Sequence, residues 1–116
     1  VTRYGKTWIM VPESFRINVT GKLPRGVYAK DIMLRLAGMI KSDQAIYKSL
    51  EFRGATIESL SMAGRMTITS MGVDVGAKPA IMETDEHTKE FLAGFNREED
   101  YREIKGDENA QYERMI

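Results

Sequence analysis

Alternating apolar and polar side chains mark the first two predicted strands. Residues 7–11 form a short apolar run, and after Pro12 the residues Phe15, Ile17 and Val19 alternate with polar neighbours. A period of two is typical of a strand with one buried face, and proline between the runs indicates a bend or a sheet edge. We therefore predict strands over residues 7–11 and 15–19. The GKLPRG segment that follows, residues 21–26, predicts a turn because glycine and proline interrupt both regular patterns.

After this turn, apolar residues recur at spacings of three and four, as in a helix with one buried face. The stripe consists of Ala29, Ile32, Met33, Leu36, Ala37 and Ile40. It predicts a helix over residues 29–40 that packs against the strands. Residues 47–53 return to alternation, with Leu50 and Phe52 apolar, and predict the next strand.

The second half of the chain predicts two more helices and another strand. Within residues 59–75 one helical face carries Met62, Met66, Thr69 and Val73. Gly76 stands where a helix can end in the left-handed conformation. Residues 78–82 predict a short strand. Residues 84–94 predict a helix, because acidic residues at its start suit the positive end of the helix dipole.

The alternation of strands and helices predicts the fold class and the domain limits. It favours an α/β domain with three α/β/α layers around a small mixed sheet. From residue 96 the chain is rich in charge, and its few possible anchors are Tyr101, Ile104 and Tyr112. We therefore predict one α/β domain over residues 1–95 and a charged linker with room for one strand over residues 96–116.

Composition excludes several classes of function. The 116 residues suit one domain, and 17 basic against 17 acidic side chains give a net charge of zero. A nucleic-acid binder needs a basic surface, as does an electrostatic membrane anchor, and no apolar run is long enough to span a bilayer. We expect neither partner. The chain has no cysteine, so it offers no thiolate to a zinc ion or an iron–sulfur cluster, and we predict no metal or cofactor ligands in it.

Three features have plain structural interpretations. GKLPRG lacks the Gly-Lys-Ser/Thr ending of a phosphate-binding loop and is interpreted as an ordinary turn. His87, the one histidine, is flanked by polar residues. We interpret it as part of a solvated helix surface rather than an acid–base group, although its ordinary pKa lies near neutrality. Met33, Met62 and Met66 lie on the predicted apolar stripes, where packing explains them better than a promiscuous binding surface.

The polar residues Thr67, Ser70 and Asp74 form the main candidate site. Their spacing of three and then four places all three on one helical face. A hydroxyl and a carboxylate one turn apart can orient a bound water or a substrate hydroxyl, whereas the structural alternative is a solvent-facing stripe.

The chain also begins with Val1 instead of Met and ends on an apolar pair after a charged stretch, which suggests a piece of a longer protein.

At this helix the sequence resembles a known family. Residues 54–86, GATIESLSMAGRMTITSMGVDVGAKPAIMETDE, are similar to a segment of the aconitase family, in particular the large subunits of 3-isopropylmalate dehydratase and homoaconitase. The family pattern there includes Glu-Ser-Leu-Ser/Asn-Met, Arg-Met-Thr-Ile, and Asn-Met followed after two residues by Glu. Residues 5–40 and 101–116 resemble the flanking stretches. The resemblance covers nearly the whole chain and implies the second domain of a large subunit.

The resemblance implies a hydro-lyase. Family members remove water from a 2-hydroxy acid and add it back at the neighbouring carbon. They use a [4Fe-4S] cluster, held by three cysteines of a later domain, whose open iron acts as a Lewis acid on the leaving hydroxyl. The second domain supplies an Asn near the cluster and a Glu near the iron-bound hydroxyl or water, and these fall on Ser70 and Asp74. Both residues depart from the family pattern. Ser70 has a shorter side chain that ends in a hydroxyl instead of an amide, and the carboxylate of Asp74 is carried on a stem one methylene shorter. These differences matter because catalytic geometry is demanding. Thr69 stands where Cys or Ser is common, and we interpret it as helix packing.

The resemblance also implies partners and a setting. The partners would be the other domains of the large subunit, the small subunit and a small hydroxy acid, in a cytoplasmic enzyme of the kind that serves leucine biosynthesis. The substrate stays open between isopropylmalate, homocitrate, citrate and dimethylmalate relatives, and the isolated chain is expected to be inactive. The alternative is a non-enzymatic partner-binding module that reuses the fold. A downstream Cys-Thr-Asn motif and Cys-x-x-Cys pair in the gene would favour the enzyme.

Overall fold

Four short strands form one parallel sheet in the order β3-β2-β1-β4. The computed structural model describes residues 3–40 and 44–116. The strands are β1 (Ser14–Asn18), β2 (Ser49–Arg53), β3 (Ala80–Met82) and β4 (Arg114–Met115). The predicted strands over 15–19, 47–53 and 78–82 are thereby confirmed to within two residues at each end.

The strand register gives the sheet one apolar and one polar face. Phe15 pairs with Leu50 and Ile17 with Phe52, and because side chains alternate along a strand these four lie on the same face. All four are at most 3% exposed. The core of the domain therefore lies on this face of β1 and β2.

The helices connect the strands and cover the apolar face. They are α1 (Ala29–Met39), α2 (Ala55–Glu58), α3 (Met62–Ser70) and α4 (Glu86–Ala93), with 3-10 helices at Met71–Val75 and Glu98–Asp100. The predicted helix over 29–40 is confirmed, since Met33 and Leu36 of its apolar stripe are buried in the core. The predicted helix over 84–94 is confirmed as α4, which Asp85 caps by accepting from the Thr88 N–H. No helix in the two described ranges is long and apolar enough to cross a membrane.

The predicted strand over residues 7–11 is wrong. These residues take no regular structure, and the side chains of Trp8 and Val11 are 86% and 89% exposed. The strand that follows it, β1, offers no edge to pair with, because β1 is already paired with β2 on one side and β4 on the other. This run is anchored by the backbone N–H of Met10, which donates to the Tyr47 hydroxyl at 3.2 Å.

The helix predicted over residues 59–75 is confirmed in part: residues 62–75 are helical, but they do not form one continuous α-helix, and the predicted apolar face is wrong. The chain forms α2, then α3, and then tightens at Met71 into a 3-10 helix that ends at Gly76. The buried side chains of α3 are Arg65 and Ile68, whereas Met66 is 45% and Val73 is 71% exposed. The predicted apolar face was therefore misplaced, because a buried ion pair allows the charged Arg65 to occupy the core side of the helix. The predicted left-handed end at Gly76 is confirmed by its φ of 82°.

The α/β class is confirmed, with two differences in architecture. The sheet is parallel rather than mixed, and the third layer is formed by the C-terminal segment rather than by helices. In the described part of the chain, the polar sheet face contacts this segment through Tyr112, whose hydroxyl donates to Glu51 at 2.9 Å. The segment ends as β4, with the Ile116 N–H donating to the Arg16 carbonyl at 2.9 Å. The predicted domain boundary at residue 95 stays a prediction.

A buried ion pair joins α3 to the start of α4. Arg65 is 4% exposed, and its guanidinium donates to both carboxylate oxygens of Asp85, at 2.8 and 2.5 Å. It also donates to the Glu58 carbonyl at 2.8 Å. A buried arginine requires such partners, since an unpaired charge in the interior is strongly unfavourable.

This pair predicts a specific dependence of stability on pH. Hydrogen bonds from Arg65 hold the pKa of the Asp85 carboxyl below its ordinary value, and desolvation opposes this only in part. A carboxyl whose pKa is lower in the folded state contributes stability above its unfolded pKa, about 3.9, and loses it as the pH falls further. The free energy of unfolding should therefore decrease as the pH is lowered from about 4. Urea denaturation of wild type and Asp85→Asn across this range tests it. The difference between the two should shrink as the pH falls, and a constant difference would contradict the assignment.

Candidate functional site

The third helix carries the candidate site toward the amino ends of the strands. It begins after the carboxyl end of β2, where the Ser61 hydroxyl accepts from the Gly64 N–H at 3.3 Å as the helix cap. The 3-10 helix that follows it, Met71–Val75, ends shortly before β3 begins. The Gly76 carbonyl there accepts from the Tyr47 N–H at 2.9 Å, which ties the end of the helical segment to the loop before β2.

The hydroxyl groups at this helix end are bonded to the helix itself. Ser70 Oγ donates to the Thr67 carbonyl at 3.0 Å, and Thr67 Oγ1 donates to the Ala63 carbonyl at 2.9 Å. Each hydroxyl oxygen keeps lone pairs that can accept a further hydrogen bond. Ser70 is exposed, whereas Thr67 is half-buried beside a groove of about 460 Å³ between α1 and α3 that Ser70 and Asp74 do not line.

Asp74 lies in the 3-10 helix Met71–Val75 that directly follows α3. Its neighbours Gly72 and Val75 are buried, while Asp74 itself is exposed. No described side chain forms a hydrogen bond or ion pair with its carboxylate. Ser70 and Asp74 are therefore presented on the same helical segment, and Thr67 belongs to a neighbouring groove. A reactive group on a rigid, anchored element is held more precisely than one on a loop.

Exposed apolar side chains lie close to Asp74. Val73 precedes it and is 71% exposed, and Ile46 is 58% exposed. Ile46 is in the same region, because its side chain would be 3.1 Å from a Cβ built on Gly76. Two apolar side chains are therefore exposed near the end of the 3-10 helix that carries Asp74.

The remaining sequence candidates have the structural roles expected of them. His87 has a half-exposed side chain on α4, with Nδ1 4.0 Å from Glu90. GKLPRG is a turn in which Gly21 and Gly26 both have positive φ, and the Thr56 hydroxyl donates to the Gly21 carbonyl at 2.8 Å. Among the described residues no group of His, Asp or Glu side chains is arranged to hold a metal ion.

Sequence reasoning missed two features beside the site. One is the Arg65–Asp85 pair, whose only sequence signal was an arginine one residue from the predicted apolar stripe. The other is the role of Gly72, which is buried although nothing in its negative-φ backbone requires glycine. Its requirement comes from a contact with β3, which no local pattern reveals.

The fold and the candidate site are those of a parallel α/β domain with an exposed carboxylate near a helix end that Gly76 caps. The aconitase family model (aconitate hydratase) matches residues 3–116. The chain belongs to the aconitase family.

Individual relatives agree with this assignment. The chain is 51% identical over 112 residues to 3-isopropylmalate dehydratase large subunit 2 of Archaeoglobus fulgidus and to large subunit 1 of Thermotoga maritima, in each case over 97% of this chain and 27% of the relative. It is 48% identical over 108 residues to a probable methanogen homoaconitase large subunit of Methanothermobacter thermautotrophicus, over 93% of this chain and 25% of the relative. The chain therefore spans about a quarter of the length of these relatives.

Proposed function

We propose that this chain is the second domain of the large subunit of an iron–sulfur hydro-lyase that isomerises a 2-hydroxy acid by dehydration and rehydration. Its role is to present Asp74 and Ser70 to a cleft that the other domains and the small subunit complete. The observation that carries the proposal is the exposed Asp74 carboxylate, fixed at a glycine-capped helix end, at the position where the family has Glu. Isopropylmalate is the proposed substrate because most of the similar relatives are named for it.

The cluster that the family uses does not fit the side chains of this chain. Three thiolates are needed to hold it, and the sequence has no cysteine. In the complete protein the cluster is then held by residues outside this chain. The isolated chain is expected to bind no iron and to turn over neither isopropylmalate nor homocitrate.

The two polar side chains supply different chemistry. Asp74 can accept the proton that is removed as the double bond forms or return it to the departing hydroxyl, provided that the substrate comes within hydrogen-bond reach, about 2.6–3.2 Å. Ser70 already donates its proton to the Thr67 carbonyl, so it accepts a hydrogen bond from a substrate hydroxyl without rearranging. Exposed Val73 and Ile46 beside the carboxylate support closure of the cleft by a neighbouring domain that excludes water.

A domain transplant tests the proposal. The segment of the Archaeoglobus fulgidus large subunit 2 that aligns with this chain is replaced by this chain, and the chimera is reconstituted with iron, sulfide and the small subunit. We expect dehydration of 3-isopropylmalate, followed by the ultraviolet absorbance of the unsaturated acid. The unmodified relative and the chimera carrying Asp74→Ala are the positive and negative controls.

The transplant also decides between the hypotheses. A chimera that assembles with its full iron and sulfide content but dehydrates no isopropylmalate, homocitrate or citrate would refute the hydro-lyase proposal and favour the partner-binding module. Activity on homocitrate or citrate alone would correct the substrate and leave the reaction class intact.

A further inference from the structure

We infer that Gly72 is a positioning residue: its contact with Ala80 of β3 sets the location of the Asp74 carboxylate. This inference rests on the proposed function for its catalytic consequence. Gly72 is the second residue of the Met71–Val75 3-10 helix and is buried. A Cβ built on it would lie 2.7 Å from the Cβ of Ala80, whereas carbon atoms that are not bonded prefer about 3.5–4.0 Å.

The requirement for glycine at this position is one of space. Gly76 at the end of the same segment has a φ of 82°, a left-handed conformation that any side chain would strain. Gly72 has no positive φ, so its backbone would accept alanine. What excludes a methyl group is the methyl of Ala80, which points from the apolar face of β3 toward the 3-10 helix.

Both sides of the contact are fixed by backbone hydrogen bonds. Ala80 is paired with Leu50 in the sheet, and the Leu50 N–H donates to the adjacent Pro79 carbonyl at 3.0 Å. The Gly72 carbonyl accepts from the Ala77 N–H at 3.1 Å. Since β3 is paired with β2 in the sheet whereas the 3-10 helix is paired with no strand, we expect an added methyl group to displace the 3-10 helix.

The displacement would be transmitted to Asp74. It lies two residues after Gly72 and immediately before Val75, which is 8% exposed and anchors the segment in the core. Removing the overlap requires a movement of roughly 1 Å, and a misplacement of that size at a catalytic group costs about a hundredfold in rate. The position of the Asp74 carboxylate in this chain thus depends on the space that the buried Gly72 leaves for Ala80.

Exchanging the methyl group across the contact tests the inference. Three variants are made in the chimera: Gly72→Ala, Ala80→Gly and the double exchange. We expect Gly72→Ala to lower kcat by about a hundredfold with little change in KM, because the carboxylate is displaced while most of the substrate contacts remain. The double exchange keeps one methyl group at the contact but moves it from residue 80 to residue 72. It should therefore recover most of the wild-type kcat.

Gly38→Ala is the matched control. Gly38 lies on the exposed side of α1, and a Cβ built there meets nothing within 4 Å. The same chemical change should leave kcat and KM unaltered at this position. If the double exchange folds but stays as slow as Gly72→Ala, or if Gly72→Ala keeps the wild-type kcat, the inference is overturned.

A measurement on the 116-residue chain separates this inference from the proposed function. Amide chemical shifts of residues 71–76 are recorded for the wild type, Gly72→Ala and the double exchange. We expect the Asp74 amide to shift in Gly72→Ala and to return toward its wild-type position in the double exchange. An inactive wild-type chimera with this pattern would refute the hydro-lyase but keep the positioning contact. An unmoved Asp74 amide in Gly72→Ala would refute the contact, and if that variant does not fold, a failure of the double exchange to restore the shifts refutes it.

Discussion

Asp74→Asn is expected to lower kcat of the chimera by about 10²–10⁴-fold, the usual contribution of a positioned acid–base group. Asparagine keeps the shape of the side chain but cannot accept a proton. Because Asp74 is exposed and forms no hydrogen bond or ion pair with any described side chain, the substitution should leave the fold intact. Steady-state kinetics with 3-isopropylmalate, together with the iron content of each variant, would check this.

Two further variants serve as controls for Asp74→Asn. Asp74→Glu restores the residue of the family pattern and should retain activity, because the carboxylate is kept and reaches one methylene further. Asp107→Asn makes the same change at an exposed aspartate of the C-terminal segment and should have no effect on kcat. Wild-type turnover by a fully loaded Asp74→Asn chimera would remove Asp74 from the mechanism.

Asp85→Asn should lower the free energy of unfolding by about 1–3 kcal/mol, because Arg65 is buried although the Asp85 side chain is 35% exposed. The substitution leaves the buried Arg65 guanidinium without a counter-charge, while asparagine still serves as a good helix cap. The loss therefore reports the charge pair and not the cap of α4. Urea denaturation of the 116-residue chain at neutral pH measures it.

An exposed ion pair provides the comparison for Asp85→Asn. Arg97 and Asp100 are joined at 2.6 Å with side chains 66% and 47% exposed. Surface pairs of this kind contribute about 0–1 kcal/mol because water and salt screen them. Asp100→Asn should change the stability correspondingly little. Equal losses in the two variants would mean that, despite the burial of Arg65, its ion pair contributes no more to stability than a surface pair does.

Regular periodicity predicted the elements that pack along their whole length. The alternation at Phe15 and Ile17 and the helical stripe through Met33 and Leu36 both match buried faces in the structure. The apolar run over residues 7–11 has the same composition as a strand, but a strand also needs an available edge within reach, and both edges of the adjacent β1 are taken. Such an edge is a property of the whole sheet, and no local pattern contains it.

The candidate site was predicted in part. Family resemblance selected Ser70 and Asp74, and the structure presents both side chains on the surface of one helical segment. Their catalytic roles stay predictions. The spacing argument also assumed a continuous helix through Thr67, whereas the chain changes to a 3-10 helix at Met71, so the three residues do not form one polar face.

The sequence by itself determined the α/β class, the family and, apart from the run over residues 7–11, the alternation of strands and helices, because alternation, helical periodicity and ordered motifs are local properties of the chain. Only the tertiary structure decided that the sheet is parallel, that Arg65 is buried against Asp85, and that Gly72 lies against Ala80. The physical reason is the same in each case. These features arise from contacts between segments distant in sequence, where the space and the charge available to one residue are set by another element.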